Sequence, residues 1–437
     1  MFFYFETIIF MQIIYNIFVF VYSKALWLAS FFNTKARQWV EGRRGLLEKI
    51  ALELDHEARH IWFHCASSGE FEQGRPVIEK FKADNPDAKV VITFYSPSGF
   101  EMRKNSPLAD HVFYMPIDTP SQARKFVEYV NPQLAVFVKY EYWFNHLNAL
   151  HEKKIPVVFI SAIFRKNQMF FKWWGGWFRK QLKKITYFFV QDKSSQGLLY
   201  EIDVRNVVVS GDTRFDRVFE ISKNPPSFGK VEKFIQGSVI FMGGSTWPAD
   251  DELIVSLINK DTNDIKFILV PHEIHASYID KLMQHIEKPV VKYSSFDEQS
   301  FMDARVLIVD QMGMLSGLYQ YASVAYIGGG FGKGIHNTLE AATFGMPVVF
   351  GPNYKKFAEA VELVSCGGAF PVKNKAELEQ TYVKLLGNYE LLKQSSDVAL
   401  QYVDMKRGAT KTIIVFLNTL FNPGSFKSQA MDMLNMN

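Results

Sequence analysis

The sequence predicts an α/β protein made of two doubly wound domains, with an apolar helix in front of them. Three observations support this fold class. Short β-rich apolar runs alternate with helical patterns along most of the 437 residues, as in a parallel sheet flanked by helices. The alternation is interrupted at residues 222–230, where Pro225, Pro226 and Gly229 end any regular element. A long apolar stretch precedes the first β-rich run.

Composition limits the class of protein. With 48% hydrophobic and 22% charged residues, the chain is neither disordered nor a disulfide-stapled domain. Its 49 Lys and Arg against 45 Asp and Glu give a formal charge of +4, too dilute for a general nucleic-acid binder, although a local basic patch stays open. Cys65 and Cys366 lie far apart without metal-ligand spacing, which favours a reduced, cytosolic setting.

The first element is an apolar stretch at 7–32, with no charge between Glu6 and Lys24. It is long enough to cross a bilayer, and its bulky flank argues against a cleaved signal peptide. The flank that follows is basic, so the positive-inside rule places the remaining chain in the cytoplasm; it contains Lys35, Arg37, Arg43 and Arg44. Gln12 and Asn16 interrupt the apolar run, which leaves a helix along the membrane surface or a buried core helix as alternatives.

Twelve runs predict the strands. In the first domain they are 61–65, 89–95, 134–138, 157–162, 187–191 and 206–211, and in the second 238–245, 266–272, 289–295, 306–310, 324–330 and 346–351. Residues 375–421 are predicted to be helical. The predicted organisation is an anchor with its basic flank at 1–45, domains at 46–224 and 225–425, and a flexible tail at 426–437. Ligands of such domains bind at the carboxyl ends of the strands.

Three loops of the first domain could carry chemistry. Glu70 opens a helix directly after the strand that ends at Cys65, where a carboxylate is either a helix cap or a catalytic group. Glu141 follows the strand 134–138, and Arg214 lies just before the break between domains. For Arg214 a solvated surface charge remains an equal alternative.

A glycine-rich loop in the second domain predicts a phosphate site. Residues 324–352 contain a strand, a loop rich in glycine and a helix that begins near Asn337 and ends at Gly345. The spacing matches neither a Walker loop nor a dinucleotide fingerprint, and a plain structural turn is the alternative. Glu340 is placed to hold a ribose. The loops 243–247, 271–275 and 310–315 should meet at the same rim, whereas His272 and His275 lack a third ligand for a metal site.

Aromatic and basic residues alternate in the segment 164–184. An exposed surface of this kind is costly in water, so we expect a patch that contacts the membrane or an acidic lipid. The alternative is a helix buried in the core.

Several motifs together resemble the Kdo transferases, which add 3-deoxy-D-manno-octulosonic acid (Kdo) to lipid A precursors in lipopolysaccharide synthesis. The motifs are HCASSGE, YMPID, YEYW, SGDTRFD, GGSTW, DQMGMLSGLYQYASVAYIGGG and HNTLEAATFGMPVVFGP. The likeness covers nearly the whole chain. It implies a GT-B fold, with two Rossmann-like domains facing across a cleft behind a membrane-anchor helix. The first domain would bind the acceptor and the second a CMP-linked sugar, which is transferred with inversion and without a metal or other cofactor in the chemical step.

The resemblance also implies roles for particular residues. Glu70 would be the general base, and Glu141 and Arg214 would stabilise the charge that develops during transfer. The CMP-binding positions would be Ser245, Thr246, Pro271, His272, Met312, Gly313, Met314, Asn337, Thr338, Leu339 and Glu340. Four positions depart from the family pattern, namely Lys139, Arg214, His272 and Met314.

The predicted function is therefore an inverting transfer of Kdo from CMP-Kdo to lipid IVA by an enzyme anchored in the inner membrane, with cytoplasmic catalytic domains and no nucleic-acid partner. One alternative keeps the fold but uses another donor, as a UDP-sugar transferase or an epimerase. Another is a non-catalytic membrane scaffold. Binding of CMP or of UDP separates the two enzyme hypotheses.

Overall fold

The computed structural model describes residues 2–55, 57–295 and 297–424, and the chain divides into two compact units. Unit 1 contains the residues up to Arg217 and those from Arg407 onward, and unit 2 runs from Val218 to Lys406. The sequence prediction instead extended the second domain from 225 to 425. The two differ at the C-terminus because the last helix buries Ile413, Leu417 and Phe421 in a core of unit 1. The predicted tail at 426–437 lies outside the described residues.

Unit 1 is built on a parallel sheet of seven strands in the order β3-β2-β1-β4-β5-β6-β7. Helices cover both faces, so the central strands are buried along their whole length, as their continuous apolar runs require. The strands are β1 His60–Cys65, β2 Lys89–Phe94, β3 His111–Tyr114, β4 Leu134–Val138, β5 Val157–Ala162, β6 Tyr187–Val190 and β7 Val207–Val209.

The helices of unit 1 begin with the long apolar α1, and most of those that follow a strand start at a polar cap such as Ser67, Thr119 or Asp192. They are α1 Phe2–Ala29, α2 Thr34–Glu41, α3 Leu46–Glu53, α4 Ser68–Asp84, α5 Pro97–Arg103, α6 Pro120–Val130, α7 Phe144–Glu152, α8 Gly176–Leu182, α9 Lys193–Glu201 and α10 Thr213–Lys223. The boundary between the units falls within α10.

Unit 2 contains a second parallel sheet of seven strands, in the order β10-β11-β9-β8-β12-β13-β14. The strands are β8 Ile240–Thr246, β9 Lys266–Pro271, β10 Val290–Lys292, β11 Val306–Ile308, β12 Val324–Ile327, β13 Val348–Phe350 and β14 Ala369–Pro371. The helices are α11 Gly229–Ile235, α12 Pro248–Lys260, α13 Ala276–Gln284, α14 Glu298–Asp303, α15 Leu315–Leu318, α16 Leu339–Ala342, α17 Ala358–Cys366, α18 Lys375–Leu386 and α19 Tyr389–Met405, and α20 Ala409–Phe421 returns to unit 1.

All twelve predicted strands are present, and each sheet has one further edge strand that the sequence did not predict. These are β3, with four residues, and β14, with three. Both are short and only partly buried, so they lack the apolar run that identifies a central strand. The helical prediction for 375–421 is confirmed by α18, α19 and α20.

The apolar helix α1 packs one face against unit 1. Tyr15 donates a hydrogen bond of 2.5 Å to Asp118, and its ring contacts Phe144 and Trp177. Gln12 donates to Asn145 at 3.0 Å, and Asn145 donates to Asn16 at 3.0 Å. The interruptions in the apolar run are therefore contacts between α1 and the rest of unit 1.

The opposite face of α1 is exposed and apolar. Residues 10–29 are apolar and long enough to cross a membrane, and few of them are buried. The exposed large side chains of this helix are Phe10, Ile13, Ile14, Ile17, Phe18, Phe20, Val21, Tyr22, Trp27 and Leu28. The helix is accordingly a candidate membrane anchor.

Two sequence-based interpretations near the membrane region change. The segment 164–184 is divided between core and surface, since its buried aromatic residues are Phe164, Phe170, Trp177 and Phe178. Among its aromatic residues, Trp173 and Trp174 are exposed, and membrane contact by this surface stays a prediction. The guanidinium of Arg43, assigned to the basic flank, is instead partly buried and donates to the carbonyl oxygens of Met115 and Tyr95 at 2.8 and 3.0 Å.

Candidate active site

Glu70 lies in the first turn of α4, directly after the carboxyl end of β1. The side chain of Ser67 caps the helix and also donates a short hydrogen bond to the Glu70 carboxylate. The ammonium group of Lys139 lies 3.4 Å from the other carboxylate oxygen. Only 13% of the Glu70 side chain is exposed, so its charge is held by a helix N-terminus, a hydroxyl and a cation in a largely shielded position.

Glu141 lies in the loop that follows β4, the strand beside β1 in the sheet. Burial, followed by the negative charge of Glu70, raises the pKa of Glu141 to about 7. Lys139, in the same loop, has a left-handed backbone with φ of 69°, unusual for a side chain other than glycine. The end of β4 thus places a cation and a second carboxyl group, Glu141, beside Glu70.

A buried hydrogen-bond chain supports this loop from below. The indole N–H of Trp143 donates to Nε2 of His64 at 2.9 Å, and the other ring nitrogen of His64 lies 2.9 Å from the Thr93 hydroxyl. Burial lowers the pKa of His64 to about 3, so the ring is neutral and the Trp143 bond fixes its proton on Nδ1. This series of hydrogen bonds connects the loop that contains Glu141 to β1 and β2.

Arg214 lies in the first turn of α10, which follows β7 in the same sheet. Its guanidinium lies 2.7 Å from the buried carboxylate of Asp212, which also accepts from the amide of Gln73 at 3.1 Å. Burial opposes the charge of Asp212, but Arg214 and the hydrogen bonds outweigh it and hold its pKa below the usual range. Gln73 is one turn beyond Glu70 on α4, so Asp212 fixes Arg214 to the helix that carries Glu70.

In unit 2, the predicted donor-binding residues gather at the carboxyl ends of neighbouring strands. Ser245 and Thr246 end β8, Pro271 ends β9, and the backbone N–H of His272 donates to the Thr246 carbonyl oxygen at 2.9 Å. Ser245 has a left-handed backbone with φ of 51°. The crossover of a parallel sheet brings these loops to one edge, as the sequence predicted.

Three aromatic rings join the loops after β8, β9 and β12. The ring of His272 stacks on Trp247 and on His336, with centroid distances of 4.5 and 4.7 Å. The Trp247 indole donates to Nε2 of His336 at 2.9 Å. Burial, followed by the neighbouring His272, lowers the pKa of His336, which keeps its ring neutral at pH 7. Sequence reasoning missed Trp247 and His336, although both lie within motifs that it singled out.

Asp250 anchors the glycine-rich loop. Its buried carboxylate accepts from the backbone N–H of Gly329 at 2.7 Å and from the hydroxyl of Tyr326 at 2.8 Å. The loop passes so close to β8 that a Cβ on Gly328 would lie 2.2 Å from the carbonyl oxygen of Ser245. Glycine is therefore required at 328 by close approach of two backbones, which the sequence could not show.

The helix expected after this loop is a single turn. α16 starts at Leu339, whose N–H already donates to the Asn337 side chain at 3.1 Å, and the Asn337 amide donates to Glu340 at 3.0 Å. One turn supplies little helix dipole, so the N-terminus of α16 attracts a phosphate less strongly than the sequence predicted. The hydroxyl of Thr338 is fully buried and has no hydrogen-bond partner within the described part of the chain.

The loop after β11 holds the remaining predicted residues. Met312 is 73% exposed, Gly313 has φ of 81°, and Met314 is buried at the start of α15. Gly313 turns the chain so that its two neighbours point to different environments. Among the described residues, no group of three or more His, Cys, Asp or Glu side chains is placed to hold a metal ion.

Comparison with known proteins indicates the class of enzyme. Residues 38–217 match the family model described as 3-deoxy-D-manno-octulosonic-acid transferase (kdotransferase). Proteins described as 3-deoxy-D-manno-octulosonic acid transferase are 26% identical in Rickettsia felis, over 82% of this chain and 79% of the relative, and 25% identical in Haemophilus influenzae, over 82% and 86%. The chain is similar to Kdo transferases over most of its length. It is a glycosyltransferase.

Solved structures support the GT-B fold of this glycosyltransferase. A UDP-GlcNAc 2-epimerase from Neisseria meningitidis matches with a TM-score of 0.58 at 19% identity, over 82% of this chain and 99% of the other. A glycosyltransferase from Rickettsia africae matches with a TM-score of 0.55 at 14% identity, over 84% and 100%. At these identities the likeness extends to the fold alone. The similarity to Kdo transferases supports Kdo transfer in lipopolysaccharide synthesis.

Proposed function

We propose that this glycosyltransferase moves Kdo from CMP-Kdo to lipid IVA with inversion, using Glu70 as the general base, at the cytoplasmic face of the inner membrane. The observation that carries the proposal is the arrangement at the end of β1 and β4. There, Glu70 is held by Ser67 and Lys139, with a second carboxyl group, Glu141, close enough for its pKa to respond to the charge of Glu70.

Glu70 is suited to accept the proton of an acceptor hydroxyl. In an inverting transfer, the acceptor oxygen attacks the anomeric carbon while the bond from that carbon to the CMP phosphate breaks, and the hydroxyl proton passes to the base. Lys139 and Ser67 orient the Glu70 carboxylate before the acceptor arrives. Glu141 and the positive Arg214 would stabilise the charge that develops as the bond breaks.

The donor would bind at the edge of the unit 2 sheet. The hydroxyls of Ser245 and Thr338, the ring of His272 and the backbone N–H groups at 337–338 would offer donors to the single phosphate of CMP. In this proposal, His272 replaces the arginine that is common in the family, and its stack with Trp247 and His336 sets its position. The proposed roles of Pro271, Met312, Gly313, Met314, Leu339 and Glu340 are to shape the same edge.

A product assay tests the proposal. Purified protein is incubated with a CMP-Kdo generating system and tetra-acylated lipid IVA, and the products are read by mass. We expect Kdo to be added by the wild type and by Glu128→Gln, an exposed carboxylate on α6, but not by Glu70→Gln. Transfer by Glu70→Gln at the wild-type rate would remove Glu70 from the role of base. Binding of UDP in place of CMP would refute CMP-Kdo as the donor and would favour the alternative of a UDP-sugar enzyme.

A further inference from the structure

A cavity in unit 1 has α1 as one of its walls. It has a volume of 350 Å3, within the range of ligand pockets. From α1 it is lined by Tyr15, Phe18, Val19, Tyr22 and Ser23, and from the fold of unit 1 by Trp39, Ala66, Tyr95, Ile117, Asp118, Glu141 and Trp143. The helix that is a candidate anchor therefore contributes side chains to a cavity that ends at a residue of the proposed active site.

The lining combines an apolar wall with carboxyl groups. The rings of Tyr95 and Trp143 stack with their centroids 4.6 Å apart, and the buried Val19 adds to the apolar wall from α1. Of the two lining carboxyl groups, Asp118 accepts a hydrogen bond from Tyr15, and Glu141 is near enough to Glu70 for the charge of Glu70 to raise its pKa. A ligand with an apolar chain and a reactive polar head would match a lining of this composition.

The cavity opens at the exposed face of α1. Phe18 lines the cavity, yet 63% of this residue is exposed, so the same ring lies at the boundary between the cavity and the exterior. Tyr22 also lines the cavity and is 42% exposed, and its ring stacks on Phe18 with a centroid distance of 6.1 Å. The exterior at this point is the apolar face that Ile14, Ile17 and Val21 present. An apolar chain could pass from a bilayer into the cavity without crossing water.

We propose that this cavity binds an acyl chain of the lipid acceptor, so that α1 is a component of the acceptor site as well as an anchor. The proposal rests on the proposed function for the identity of the acceptor. It explains why α1 is fixed to unit 1 by Gln12, Tyr15 and Asn16, since a simple tether would need no defined position.

Two matched variants separate the acceptor site from the anchor. Phe18→Ala and Phe20→Ala remove the same ring from the exposed face of α1, where the residues are 63% and 57% exposed, but only Phe18 lines the cavity. We expect Phe18→Ala to raise KM for tetra-acylated lipid IVA about tenfold relative to Phe20→Ala, the effect of losing one partly buried aromatic contact. With the fully deacylated bisphosphorylated disaccharide as acceptor, the two variants should have equal KM.

The outcomes are distinct. Equal KM values for the two variants with lipid IVA would overturn the proposal, as would a selective effect of Phe18→Ala on the deacylated acceptor, which would place the sugar in the cavity. Ser23→Phe, which fills the cavity from α1, should also raise KM for lipid IVA only.

A binding measurement tests the cavity independently of the proposed function. If the wild type transfers Kdo to neither acceptor, the proposed function fails, and the cavity is tested with bromine-labelled myristate in detergent micelles. Because Trp39 and Trp143 line the cavity, bound myristate should quench their fluorescence less in Phe18→Ala than in Phe20→Ala. Equal quenching in the two variants would overturn the acyl-chain site.

Discussion

Glu141 is expected to destabilise the native protein above neutral pH, and Glu141→Gln should remove this effect. Burial, with the charge of Glu70, raises its pKa from 4.5 to about 7. Below pH 4.5 the folded and unfolded states both keep the proton, so the carboxyl group has no effect on stability. Between pH 4.5 and 7 the unfolded state releases the proton while the folded state retains it, and the free energy of unfolding therefore falls as pH rises.

The magnitude follows from the size of the shift. A change in the pKa of Glu141 from 4.5 to about 7 lowers the free energy of unfolding by about 3 kcal/mol. This destabilisation is fully present above pH 7. Glutamine has the shape of the protonated acid but cannot ionise, so the variant should be more stable than the wild type by about this amount at pH 8 and by under about 1 kcal/mol at pH 5.

Thermal unfolding in detergent at pH 5 and pH 8 measures this difference, with the exposed Glu128→Gln as the control variant. A gain of several degrees that appears only at pH 8 is the expected result. The gain should shrink in a Glu70→Gln background, because the charge of Glu70 is the second cause of the shift. A gain of equal size at both pH values would refute the reasoning, since it could not come from ionisation.

Three further predictions concern the groups that hold the two sites in place. Asp250→Ala should lower the free energy of unfolding by about 2–4 kcal/mol in denaturant titration, because two buried donors lose their acceptor. Gly328→Ala should weaken CMP binding at least about tenfold by calorimetry, since its Cβ would displace the Ser245 loop, whereas Gly332→Ala, with 3.6 Å to the nearest atom, should bind normally. Asp212→Asn should reduce kcat more than KM, because Arg214 loses its fixed partner; equal kinetics to the wild type would contradict this.

The sequence predicted the fold well because both sheets are parallel and covered on both faces. Their central strands must be continuous apolar runs, and those runs are visible without a structure. The edge strands β3 and β14 were missed for the same reason, since an edge needs no such run. For the segment 164–184 the sequence could not show which aromatic residues are buried, because composition does not show direction: Phe170 and Trp177 point into the core, and Trp173 points out.

The candidate sites divide in a similar way. Residues at strand ends, such as Glu70, Glu141 and Ser245, could be predicted because parallel topology brings strand ends to one edge. Residues that act through contacts between loops far apart in the sequence could not be predicted. The bond from Trp247 to His336 spans 89 positions, and the bond from Gly329 to Asp250 spans 79. Nothing in the local sequence distinguishes Asp250 from an ordinary carboxylate in the first turn of a helix.

The polar residues of α1 show how one helix can serve both membrane and active site. An anchor that only crossed a bilayer would be most stable with no polar side chain at its centre, because each unpaired polar group in hydrocarbon is costly. Part of that cost falls on Gln12, Tyr15 and Asn16. It is offset by their hydrogen bonds with Asp118 and Asn145 in unit 1. These bonds are available only when the helix lies against the fold. The apolar face is consequently held at a fixed distance from Glu141, which an enzyme with a lipid-borne acceptor requires.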